Sequence, residues 1–441
     1  MTSSPRPTAR AAAMGGLLLA VLLLAPGLAC QEMPLGEGVS PTPRPTVSGA
    51  RNISAGSVGR IAYVGLDYRI YIVGADGRGG RAVATGDVRS TWPTWSPAGV
   101  ALAFSSFTPG PPVQAQGVYV ARVDVGAGPT PPLVYEDLPG AGAALGPAIP
   151  HYVQWSPDGQ ALAIIASSEG GQALFITSAT SASPPRRIAD GASISVAWSP
   201  DSQSLLVRAG AELTRVDVGT GGLLALLANS TSLQSFPAWS PGGAEIAYVA
   251  TGRGGSFLFL ARPTGAGRRA VARITGAARF SWSPRGDRLA LGQSLEETEG
   301  MLQELRVVDA VSGDAVTVHQ GPVLAFFWSP GGDRLAYVTP REDGAALRWH
   351  IVEVVPIATG TQEVALADFD PTGEELARLA FFDQYAVSHS PWSPDGRWLM
   401  FAGTLSGEVA DADPQIYVME ASEASPPNHV AKGRLGTWEP G

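Results

Sequence analysis

The chain is punctuated by short apolar runs rather than by long amphipathic stretches. Seven of them read ALAF, ALAII, SLLV, EIAYV, RLAL, RLAYV and WLMF. Each carries an aliphatic residue seven positions after a tryptophan: Leu102, Leu162, Leu205, Ile246, Leu289, Leu335 and Leu399. A continuous apolar run of this length predicts a strand covered on both faces. A second set of short runs follows: RIYIV (69–73), GVYVAR (117–122), ALFIT (173–177), FLFLA (257–261), LRVVD (305–309) and QIYVM (415–419). A turn rich in Gly or Pro and a further strand come after each. The pattern predicts four short strands per repeated unit.

The tryptophans set the register of the repeat. They head WSPAG at Trp95, WSPDG at Trp155, WSPDS at Trp198, WSPGG at Trp239, WSPRG at Trp282, WSPGG at Trp328 and WSPDG at Trp392. Their spacings are 60, 43, 41, 43, 46 and 64 residues, so the period is 41–46 and the longer values contain insertions. The motif is a hairpin turn. Pro fixes φ at its second position, and Gly tolerates the left-handed conformation that closes the loop. Ser202 stands where the other units have Gly, at an expected cost on the order of 1 kcal/mol. Each tryptophan is expected in the core, between neighbouring units.

The two ends complete one another. RIAYV (60–64) has the form of the strand after a motif, but no motif precedes it. The chain finishes on GTWEPG, where Trp438 is followed by a turn and no strand. Together they make an eighth unit, and Trp438 an eighth motif tryptophan. The expected fold is therefore all-β: an eight-bladed β-propeller of four-stranded blades, its ring closed by the C-terminal strand, which removes exposed sheet edges. These units resemble TolB-like propellers, bacterial extracytoplasmic repeats built on Trp-Ser-Pro-Asp-Gly, over about residues 59–441. The resemblance implies the strand order within a blade, with the tryptophan strand innermost. It says little about function, because propellers host many activities.

Composition fits this picture. Of 441 residues 45% are apolar, 16% are charged, and Gly (54) and Pro (37) are abundant, as many short strands and tight turns require. The formal charge is −9, and removal of residues 1–29, with Arg6 and Arg10 and no acid, takes it to near −11. Such a balance argues against nucleic acid as a partner. Residues 1–29 read as a signal peptide: two arginines, then an apolar stretch including Leu17 to Leu24, too short for a confident transmembrane helix, then Gly27, Leu28 and Ala29 before Cys30. Cys30 is the only cysteine, and this arrangement resembles the bacterial lipoprotein signal, whose cysteine receives lipid. Gly27 sits where that signal usually has Leu. Residues 30–55, rich in Pro, Gly, Ser and Thr, read as a flexible tether, and 56–441 as the propeller. The expected location is extracytoplasmic and membrane-anchored, in a bacterial cell envelope.

Function is expected on one face. The strand order places the motif turns and the short turns after the second strands together. The long insertions (105–116, 136–152, 292–302, 340–347, 368–390 and 403–414) then share the opposite face. Acidic side chains pool there in units six to eight. The candidate binding residues are Glu296, Glu297, Glu342, Asp343, Glu374, Glu375, Asp383, Asp411 and Asp413, with Phe381, Phe382 and His389. They could meet a basic partner or a cation, or simply keep the loops solvated. Leu376, Leu379 and Phe382 are spaced by three, which predicts a short amphipathic helix within 373–384. It would either cap the channel mouth or present an apolar anchor. The five histidines have no metal-ligand spacing, no Gly-x-Ser-x-Gly elbow occurs, and no phosphate-binding Gly-rich loop opens a helix. No catalytic residue, metal or cofactor is assigned. The expected function is a non-enzymatic, monomeric binding scaffold for a protein or a cell-envelope polymer. The alternative is a propeller hydrolase or carbohydrate-active enzyme that uses channel-mouth carboxylates such as Asp383, with His389.

Overall fold

The computed structural model describes residues 59–441, save 84–88, 109–113, 125–130, 138–143, 146–148, 181–182, 230–234, 295–300, 343, 345, 355–362, 408–411 and 423. The expected positions Cys30, Glu296, Glu297, Asp343 and Asp411 lie outside the described residues. Among those described, strands form six four-stranded antiparallel sheets and one seven-stranded sheet. In unit two the spatial order is Ser90–Trp95, Ala101–Thr108, Gln114–Arg122, Leu133–Glu136, which is also the sequence order. Units three to six repeat it. In the first sheet the C-terminal strand Leu435–Trp438 pairs antiparallel with Arg60–Val64.

The apolar run after each motif is the most deeply covered part of its unit. Ile61, Leu102, Leu162, Leu205, Ile246, Leu289, Leu335 and Leu399 are all fully buried. They pack in clusters that draw from adjacent sheets. Ala103 and Val120 of unit two meet Val153, Leu162 and Phe175 of unit three. Ile61 and Val73 of unit one meet Met400 and Val418 of unit eight. Twisted sheets stacked face to face in this way are the blades of a β-propeller.

Each motif turn is built by its serine. Ser156 Oγ accepts from the Ala161 amide at 2.9 Å and donates to Asp158, while Gly159 N–H closes the loop on the Ser156 carbonyl. Gly159 has φ of +70°, and Gly99, Gly243, Gly286, Gly332 and Gly396 match it within a few degrees. Ser202 adopts φ of +61° in the same place. Its hydroxyl accepts from the Asp158 amide of the preceding unit at 3.0 Å, a contact that offsets the strain.

The tryptophans link the units. Trp155 Nε1 donates to the Thr94 carbonyl at 3.0 Å, Trp198 to Gln154 at 3.3 Å and Trp239 to Ala197 at 3.1 Å. Trp328 donates to Ser281 at 3.2 Å, Trp392 to Phe327 at 3.0 Å and Trp438 to Pro391 at 2.9 Å. Trp95 donates to Thr437 at 3.2 Å. The acceptor is always the residue before the preceding unit's tryptophan. Only the buried Nε1 of Trp282 lacks such a partner.

Candidate functional site

The connection between units seven and eight departs most from the repeat. The strand Glu363–Pro371 runs past the end of its own blade and pairs with Trp398–Leu405 of unit eight through Phe369, Asp370 and Pro371. This pairing fuses two blades into the seven-stranded sheet. The chain then enters helix α1 (Gly373–Ala380) and a further turn, α2 (Phe382–Tyr385). Thr372 caps α1: its Oγ1 accepts from the Glu375 amide at 3.0 Å and donates to the Arg434 carbonyl of unit eight. Phe381, with ψ of +35°, ends the helix and re-aims the chain. The return segment meets Trp392 only as an isolated bridge to Leu399, so unit eight lacks a regular innermost strand of its own motif.

This insertion sits at the end where the innermost strands begin, opposite the motif turns. Its side chains reach most of the units. Phe382 is fully buried against Phe326 and Phe327 of unit seven, with ring centroids 4.3 and 5.9 Å away. Tyr385 stacks on Trp92 of unit two at 4.4 Å and meets Tyr152 of unit three edge-on at 5.3 Å. The Tyr152 hydroxyl donates to the Gln384 carbonyl at 2.9 Å. Asp383 pairs with Arg279 of unit six at 2.7 Å. Thr437 Oγ1 donates to the Ser388 carbonyl. The helix is therefore a cap seated in the channel mouth.

That placement corrects the expectation of an exposed acidic rim at Glu374, Glu375 and Asp383. Glu374 and Glu375 are 6% and 1% exposed, and the Asp383 side chain is 1% exposed. Burial pushes all three carboxyls above the usual range. Arg434 opposes it at Glu374, Arg378 at Glu375 and Arg279 at Asp383. Arg378, itself buried, is bonded to Glu375 and donates to the His389 carbonyl at 3.0 Å. The physical reason is local pairing. Arg279 and Arg378 supply the counter-charges that let Asp383 and Glu375 go inside, and the Arg434 charge serves Glu374.

Phe382 and His389 are likewise interior. His389 is 1% exposed, and burial, with the Arg378 charge, pushes its pKa down to about 3. It is neutral at ordinary pH and packs edge-on to Trp92 and Tyr385. Phe381 is half-buried and packs near the same cluster. Of the remaining candidates, Glu342 is exposed and Asp413 pairs with Lys432 at 2.7 Å on the surface. Neither is part of the cap.

Several residues of this mouth carry no signal in the repeat: Trp92, Tyr152, Arg208, Arg279, Phe326 and Arg378. Trp92 could have been noticed as a tryptophan outside the motif. It has φ of +53°, an unfavourable conformation for a bulky residue, at a register shift in its strand that aims the indole at Tyr385. Arg208 is 1% exposed and bonds Ser195 Oγ and the Gly210 carbonyl, with Asp383 as its nearby opposing charge. Among the described residues no group of three His, Cys, Asp or Glu could hold a metal ion. Nor is any described helix long and apolar enough to cross a membrane.

Comparison with family models and with curated proteins found no match. Among solved structures, a eukaryotic initiation factor is similar over 87% of this chain and 98% of its own, at 13% identity and a TM-score of 0.52. The likeness is one of fold. TolB from Acinetobacter baumannii is 19% identical over 60% of this chain and 65% of its own, with a TM-score of 0.35. A putative TolB from Agrobacterium tumefaciens is 20% identical over 63% and 96%, with a TM-score of 0.36.

Proposed function

We propose that this chain is a lipid-anchored, extracytoplasmic, eight-bladed propeller that serves as a non-enzymatic scaffold and binds a protein or envelope polymer on its capped face. Seven tryptophan hydrogen bonds passed from unit to unit support a ring of eight, and the pairing of Leu435–Trp438 with Arg60–Val64 supports its closure. The signal-like segment before Cys30 supports export and lipid attachment. A monomer is the simplest state.

The observation that carries the scaffold reading is the seating of the cap. Asp383 and His389 were the groups most suited to a channel-mouth enzyme. Asp383, on the inner side of the cap, is held by Arg279, and His389 is a neutral, buried ring. A general acid or base must reach its substrate and titrate near the working pH; burial closes both groups off from a substrate, and His389 is also held far below that range. The capped face instead offers the insertions around a rigid centre, as binding surfaces do. Val387, 79% exposed on the return from the cap, marks that face. The test is a photo-crosslinking amino acid at Val387 and, on the opposite face, at Asp287 of a motif turn. One discrete envelope product from Val387 and none from Asp287 is expected. Capture from Asp287 alone would assign the other face.

A further inference from the structure

The outer edges of units four and five form a surface unlike the rest of this acidic chain. From Ile246 to Ile274, in unit five, there are five arginines and no aspartate, glutamate or lysine. Arg253, Arg262, Arg268 and Arg273 are exposed. Arg262 and Arg268 flank the turn into the outer strand Arg269–Ile274, and Arg273 in that strand donates to the Gly254 carbonyl at 3.2 Å, beside Arg253. Of the acids nearby, Glu245 pairs with Arg269 and Asp190 with Arg187, while Asp217 stays charged, accepting from the amide and hydroxyl of Thr220, and Glu212 is exposed.

Directly alongside, the outer strand of unit four, Leu223–Ala228, exposes Leu223, Leu224 and Leu226 at 65%, 50% and 57%. These are three of the most exposed large apolar side chains among the described residues, on a sheet edge, where natural proteins usually place charge. Leu227 of the same strand packs toward Gly265 in the arginine-flanked turn, where a Cβ would stand 3.5 Å from it. Leu227 faces unit five, while Leu223 and Leu226, paired with Val216 and Thr214, stand on the other side of the strand, so the leucines and arginines lie on the neighbouring outer strands of adjacent units.

We infer that this edge docks on an anionic lipid surface. Leucines suit shallow entry at the acyl boundary, while guanidinium groups meet headgroup phosphates. The charge is complementary to an anionic leaflet, and the acidic remainder of the chain would be repelled from it, so the patch also fixes which way the propeller faces. This holds with or without lipid on Cys30. A lipid there would add attachment, and the edge would set orientation.

The test uses full-length Cys30→Ser protein, so that no acyl chain contributes, with vesicles of phosphatidylcholine alone or mixed with phosphatidylglycerol. Preferential sedimentation with the anionic vesicles is expected, weakening as salt rises. Arg253→Glu, Arg262→Glu and Arg273→Glu together should reduce binding on the order of a hundredfold. Leu223→Ser, Leu224→Ser and Leu226→Ser should reduce it even at low salt, with an unchanged melting temperature confirming the fold of both variants. Equal binding to neutral vesicles, no binding, or indifference to both sets of changes would overturn the inference. Preference for soluble polyglutamate over anionic vesicles would also overturn it, in favour of an acidic protein partner.

Discussion

The indole of Trp95 donates to the carbonyl of Thr437 at 3.2 Å, across 342 positions of sequence. Glu439, two residues further on, is bonded to the Arg60 guanidinium at 2.5 Å. The last few residues are therefore integral to the first blade. Deleting residues 434–441 removes the fully buried Leu435 and the buried Trp438, each worth roughly 2–3 kcal/mol. It also bares the edge of Arg60–Val64. A melting temperature lowered by many degrees is expected in calorimetry, and an unchanged midpoint would sink the closed-ring reading.

Phe382 is the apolar centre of the cap. Phe382→Ala should cost about 3–5 kcal/mol of stability, as a cavity between Phe326 and Phe327 would. A residue serving as an exposed partner anchor would show no such loss. Chemical denaturation of the variant decides between them.

The Arg279–Asp383 pair should behave asymmetrically. Arg279→Ala leaves a buried carboxyl without its partner and should destabilise by about 3–5 kcal/mol. The double variant Arg279→Leu, Asp383→Leu should recover much of that loss. If the double change is as costly as the sum of two singles, the pair is not the reason Asp383 can be buried.

His389 makes the cap sensitive to acid. Its folded pKa, about 3, lies below the ordinary value of 6.5, so the unfolded chain binds the extra proton as pH falls between them. Its contribution is complete above 6.5 and is lost by about 1.4 kcal/mol for each pH unit below it. Glu374, Glu375 and Asp383 work in the opposite sense. Their raised pKa values favour the folded state at low pH and weaken that support as pH rises through the folded values. The His389 share is isolated by comparison with His389→Asn. Wild type should lose stability relative to the variant from pH 6.5 to 5, and parallel curves would refute the assignment.

Lipid on Cys30 is tested by fractionation. Cys30→Ser should move much of the protein from the membrane to the soluble fraction, and labelled palmitate should enter wild type alone. Absence of label from wild type would remove the anchor.

The sequence by itself determined the repeat, its four-strand content and the burial of the residue seven positions after each tryptophan. Those features are local: turn chemistry and short apolar runs need no knowledge of what packs against them. It also marked a helix in 373–384, because amphipathic spacing is written into the segment. What it could not decide is which side of that helix faces in. Glu374, Glu375 and Asp383 read as solvent-seeking until Arg434, Arg378 and Arg279 are placed beside them, and Arg279 is 104 residues from its partner. Nor could spacing show that Tyr385 would find Trp92 across the channel mouth. The sign of a buried charge's contribution depends on its neighbours, and only the tertiary structure chooses those neighbours.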